Sequence, residues 1–169
     1  MVFGICGEVG ELVDAETPEH FKEEMGDLIF YIEGLFQIPC IKAIAATAED
    51  LMGSVLYDDQ KLILDKLVNK GISHCLHYYS SELLDAIKKH VIYCKELDTD
   101  KVRFNLAAIL ACMAELGLAN KVNLTAAKMA NLNKLLKGKN ARYASGSYSD
   151  QQAQDRADKA ADINQSEEK

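Results

Sequence analysis

Proline is scarce in this chain, two residues in 169, so little in the sequence forces a helix to break. No segment shows the alternation of β-branched and polar residues that marks a strand. The five cysteines (Cys6, Cys40, Cys75, Cys94, Cys112) include no CxxC pair, and each falls in a helical segment. An odd, scattered set of that kind reads as reduced thiols in a cytoplasm-like compartment. There is no basic stretch followed by an apolar run at the start, so no secretory leader is expected. The longest apolar stretch, Leu28 to Ala46, is interrupted by Glu33, Pro39 and Lys42, which excludes a membrane span there. Basic charge is short as well: the net charge is −7, and no arginine precedes Arg103. With no basic stripe, a nucleic-acid surface is excluded, and a polyanionic ligand would depend on bound cations and a few local basic residues. The expectation is a soluble cytoplasmic protein, bound to neither membrane nor nucleic acid, with enough length for one sizeable core.

What the chain does have is a concentration of acids near its start. Glu8 and Glu11 are three apart, and after twelve residues so are Glu24 and Asp27. Residues at i and i+3 on a helix are neighbours on one face. Val2, Ile5, Cys6, Val9, Leu12 and Val13 form one apolar stripe beside the first pair. Thr17-Pro18 reads as an N-cap with proline in the first turn of a second helix. That helix carries Phe21, Met25, Leu28, Ile29, Ile32, Leu35 and Phe36 on one side, with Glu24 and Asp27 at its border. Gly4, Gly7, Gly10 and Gly26 cost helix propensity and are expected to allow close approach. Two such pairs on adjacent antiparallel helices form a four-carboxylate cluster that must be protonated or neutralised. An all-oxygen set suits Mg²⁺, with Mn²⁺ as the alternative.

The remaining helices follow from caps and stops. Pro39 opens a third helix running to about Gly53, and Asp58 or Asp59 caps a fourth that stops at Asn69-Lys70-Gly71. A fifth covers Ile72 to about Glu96, a sixth is capped by Asp98 and reaches about Ala119, and a seventh is capped by Asn123 and ends at Gly138. The fold class is therefore an all-α helical bundle. After Lys139 the composition turns polar, and residues 160–169 are expected to be a disordered tail.

The acid pattern, GEVGEL…EEMGDLIFY, resembles that of the all-α nucleotide pyrophosphohydrolases of the MazG type, a superfamily that includes dimeric dUTPases and phosphoribosyl-ATP pyrophosphohydrolases. The resemblance implies Mg²⁺-dependent cleavage of a nucleoside triphosphate between its α and β phosphates, yielding monophosphate and pyrophosphate, with house-cleaning of non-canonical nucleotides as one use. It further implies that Glu8, Glu11, Glu24 and Asp27 are the metal ligands. Glu11 and Glu24 are the catalytic candidates among them; one of the carboxylates, Glu11 being one choice, would serve as the base, and the sequence does not say which. Members usually carry a helix ahead of the first GExGEL, and only six residues precede it here.

An internal repeat extends the resemblance to about residue 159. Glu11-Leu-Val-Asp-Ala15 recurs as Glu82-Leu-Leu-Asp-Ala86, and Glu23 to Leu35 aligns with Phe104 to Leu116. The second copy has lost the acids: Tyr79, Asn105 and Ala108 stand for Glu8, Glu24 and Asp27, and only Glu82, the counterpart of Glu11, survives. Conversely, Thr47 and Asp50 stand where the second copy has Asn131 and Lys134. Since members of the family dimerise around shared sites, the expected architecture is a fused pseudo-dimer. Residues 1–53 form the half with the acids, and residues 54–159 a degenerate half with the phosphate-binding candidates. A homodimer of such pseudo-dimers is admissible. Asn131, Lys134, Arg142 and Tyr143 are the substrate-binding candidates; Lys88, Lys89, Lys159 and Tyr148 rank below them. His74, Cys75 and His77 do not share a face and are not read as a metal site, and a di-iron bundle lacks its Glu-x-x-His motifs. The competing functional class is a non-catalytic helical module that binds a nucleotide or a protein.

Overall fold

The computed structural model describes residues 1–54 and 57–136, and among these it contains eight helices and no strand. α1 (Val2–Val13) and α2 (Pro18–Phe36) form a hairpin. α3 (Pro39–Lys42), α4 (Ala48–Ser54) and α5 (Tyr57–Lys70) lead to a second hairpin of α6 (Ile72–Tyr93) and α7 (Thr99–Ala119), and α8 (Leu124–Leu136) follows it.

The helix boundaries come from local chemistry. Thr17 Oγ1 accepts the His20 N–H at 3.1 Å, Asp98 Oδ1 the Lys101 N–H at 2.9 Å, and Asn123 Oδ1 the Ala126 N–H at 3.0 Å. Each such cap is worth about 1 kcal/mol. α5 stops where Gly71 takes a φ of 83°, a left-handed conformation that favours glycine. The single helix expected from Pro39 to Gly53 is instead two. Thr47 Oγ1 accepts the Asp50 N–H at 3.0 Å and starts α4 afresh after five residues outside either helix. α6 ends at Tyr93 rather than near Glu96, because Cys94 adopts a left-handed φ of 51°. Gly138 lies outside the described residues.

The core is continuous from Val2 to Ala127 and draws on both hairpins. The two hairpins bury matching positions. In α2 and α7, Phe21, Glu24, Met25, Gly26, Leu28 and Ile32 are buried, as are Val102, Asn105, Leu106, Ala107, Ile109 and Met113 in the same order. In α1 and α6, Ile5, Val9 and Leu12 match Leu76, Ser80 and Leu83. α1 packs on α6, and the Cys6 thiol donates to the Ser80 carbonyl oxygen at 3.5 Å. The closing helices cross over: α8 covers α2, while α4, which follows the first hairpin, packs on α7. α7 is long and apolar enough to span a membrane by composition alone, and half of its most apolar window is buried in the bundle.

Glycine decides one of these packings. A Cβ at Gly26 would lie 2.8 Å from the Ala127 carbonyl oxygen and 3.0 Å from Asn131 Cβ, so only glycine lets α8 cross α2 this closely. Gly4 similarly gives way to the Tyr31 ring. Gly7 and Gly10, expected to serve the same purpose, do not: a Cβ at either meets nothing within 4 Å. Gly26→Ala is therefore expected to lose about 1–3 kcal/mol of stability through overpacking. Gly10→Ala should gain up to about 1 kcal/mol from helix propensity. Urea denaturation of the two variants checks both signs.

Candidate metal and phosphate site

Antiparallel packing of α1 on α2 brings three of the four acids together. Glu8, Glu11 and Glu24 each offer a carboxylate oxygen within 4.8 Å of the others. They grade from surface to core: Glu11 is exposed, Glu8 half-buried, and Glu24 only 1% exposed. Glu24 thus lies deeper than the border position its periodicity suggests. His20, one turn earlier on α2, reaches it with Nε2 at 3.1 Å from Oε1.

Crowding shows in the titration of Glu8. Burial, the charge of Asp27, a hydrogen bond to Glu24, and the charges of Glu11 and Glu24 together push its carboxyl up to about 8. Two carboxylates under 5 Å apart repel by roughly 3 kcal/mol at an effective dielectric near 20. That exceeds what a helix cap contributes. The cluster is therefore built to take up a proton or a cation.

Asp27, the fourth acid, stands outside this convergence and faces α8. Lys134 Nζ lies 2.9 Å from Asp27 Oδ1 and 2.8 Å from Oδ2, and also 3.1 Å from Glu23 Oε1. The Asn131 amide donates to Asp27 Oδ1 as well. Burial draws the Lys134 ammonium down, but its bonds to Asp27 and Glu23 outweigh burial and raise its pKa above the usual lysine range. Asn131 is 4% exposed, and its Oδ1 has no partner among the described residues. Beside this contact, a cavity of about 270 Å³ is lined by Glu19, Lys22, Glu23, Ala130, Asn131 and Lys134.

Of the four acids, Asp27 thus meets two of the proposed basic-side residues across more than 100 residues of chain. Arg142 and Tyr143 lie outside the described residues, as do Tyr148 and Lys159. Lys88 and Lys89 turn away, both bonded to Asp85 at 3.3 and 2.7 Å. His20 and Glu23 were not foreseen. Their signal was position alone, one turn before Glu24 and Asp27 respectively.

The corresponding place in the second hairpin is closed. Tyr79 is fully buried edge-on against Phe104, with ring centroids 5.8 Å apart. Glu82 is bonded to Lys101 at 2.7 Å, and Lys101 occupies the position matching His20. Asn105 donates its amide to the Lys101 carbonyl oxygen at 2.8 Å. Among the described residues, no second set of metal-ligating side chains converges. Comparison with protein-family models, with curated proteins and with solved structures finds no match for this chain.

Glu8 gives a pH dependence of definite sign. Its carboxyl moves from an ordinary 4.5 up to about 8 on folding, so the folded state favours its protonated form. Its contribution to stability is complete below 4.5 and is lost as pH rises towards about 8. In the metal-free protein, the melting temperature is expected to fall across that window, and Glu8→Gln should flatten the fall. A thermal-shift series at constant ionic strength measures it.

Proposed function

We propose that the chain is a Mg²⁺-dependent nucleoside triphosphate pyrophosphohydrolase of the MazG type, built as a fused pseudo-dimer with one composite site. The observation that carries the reading is the convergence of Glu8, Glu11 and Glu24 from α1 and α2, with the neighbouring Asp27 held by Asn131 and Lys134 from α8. The pseudo-dimer is supported by the matched burial of the two hairpins and by the crossed packing of α4 and α8. The donor set fits the cation: carboxylate oxygens from two rigid helices, graded from buried to exposed, suit a hard ion that keeps part of its water shell.

Within this reading, Glu8, Glu11 and Glu24 hold the ion, with Asp27 completing the set. A bound Mg²⁺ or Mn²⁺ would supply neutralisation of phosphate charge and a more acidic water. Glu11, at the solvent edge of the cluster, is best placed to take a proton from the attacking water. Water then adds across the α–β anhydride bond, leaving a nucleoside monophosphate and pyrophosphate. Glu24, fixed by His20, orients the cluster from below. Lys134, as a point charge, is assigned to the phosphates from the sequence pattern, and Arg142 and Tyr143 to the same substrate. Cytoplasmic nucleotide clean-up suits such an activity, and phosphoribosyl-ATP hydrolysis is a substrate variant of it.

The test is incubation with Mg²⁺ and a panel of canonical, deoxy and modified triphosphates, with pyrophosphate measured against phosphate. Pyrophosphate and monophosphate are expected, with at least a hundredfold loss in Glu24→Gln. Phosphate alone would refute the reaction class. No turnover by the folded protein would favour the non-catalytic nucleotide- or protein-binding module.

A further inference from the structure

Lys134 is engaged in a way that a lysine reserved for phosphate is not. An ammonium group has three donors, and the Lys134 Nζ makes three contacts, to Asp27 Oδ1, Asp27 Oδ2 and Glu23 Oε1. Two of the three go to one carboxylate, so the ammonium charge is already shared between Asp27 and Glu23. Asp27 is correspondingly committed to Lys134 and Asn131, and it is the one acid of the four outside the 4.8 Å convergence. Both partners are largely covered, Lys134 at 20% and Asp27 at 18% side-chain exposure, so the pair is not an ordinary solvated one.

We propose that Lys134 is a tethered counter-ion that stands in for a divalent cation on Asp27, and that a cation entering beside Glu8, Glu11 and Glu24 displaces it towards Glu23 and the substrate phosphates. This rests on reading the carboxylate cluster as a divalent-cation site. Three features support the exchange. The flexible four-carbon stem of lysine lets the charge move without moving α8. Glu23, already 3.1 Å away, gives the displaced ammonium a second carboxylate on the same helix. The buried Asn131 Oδ1, without a partner among the described residues, is an acceptor that the water shell of an entering cation can satisfy. The site then gains its fourth ligand and its phosphate-binding charge in one step, so cation and triphosphate bind cooperatively.

Calorimetric titration of the full chain with Mn²⁺ alone, without nucleotide, tests the exchange. Lys134→Met should bind Mn²⁺ about tenfold more tightly than the parent, since a competing unit charge is removed at short range. Lys134→Arg, which keeps the charge, should bind like the parent. Unchanged or weaker binding by folded Lys134→Met would overturn the counter-ion role while leaving the cation site standing. No binding by either protein would overturn the cation site itself. Should Lys134→Met fail to fold, the parent labelled with ¹⁵N-lysine answers directly: saturating Mg²⁺ should shift the Lys134 Nζ resonance, and a stationary resonance would refute the displacement.

Discussion

Too many carboxylates lie on one side of the first hairpin, and the rest of the described fold answers that constraint. Glu8, Glu11 and Glu24 converge because α1 and α2 must bury Val9, Leu12, Met25 and Leu28 on faces that adjoin the acids. Apolar burial therefore fixes the acids where they repel. α8 brings Lys134 onto the neighbouring Asp27 and Glu23, and Gly26 lets it come close enough to do so. Packing and electrostatics are coupled at one crossing point, where α2 meets α8.

The two hairpins show alternative answers to the same geometry. In the first, polar groups are kept at the matching positions, and the charges of Asp27 and Glu23 are balanced from outside the hairpin by Lys134. In the second, the Tyr79 ring and Ala108 fill the equivalent space, and Lys101 neutralises Glu82 within the hairpin itself. A closed, internally neutralised hairpin contributes core without asking for a ligand. Asn131 and Lys134 of α8 are instead bonded to Asp27 of the first hairpin.

What the sequence made legible was local. Thr17-Pro18, Asp98 and Asn123 marked helix starts because a cap bonds within three residues of itself. The split between α3 and α4 was missed because Thr47 had been read only as the counterpart of Asn131, not as a cap. Gly7 and Gly10 could not be separated from Gly4 and Gly26, since which face of a helix meets a neighbour is a tertiary fact. The acids are read from their spacing, and Lys134 and Asn131 from the family resemblance together with the repeat. That Lys134 lies on Asp27, and that Glu24 is buried beside His20, depended on helix rotation and on a contact spanning 107 residues, which periodicity does not encode.

The central claim is that this chain holds one divalent-cation site, made by the first hairpin and closed by α8. Anomalous diffraction from crystals grown with Mn²⁺ addresses it most directly. The account predicts a single strong peak per chain between Glu8, Glu11 and Glu24, with none beside Tyr79 and Glu82. An empty carboxylate cluster, or equal occupancy at the second hairpin, would contradict it.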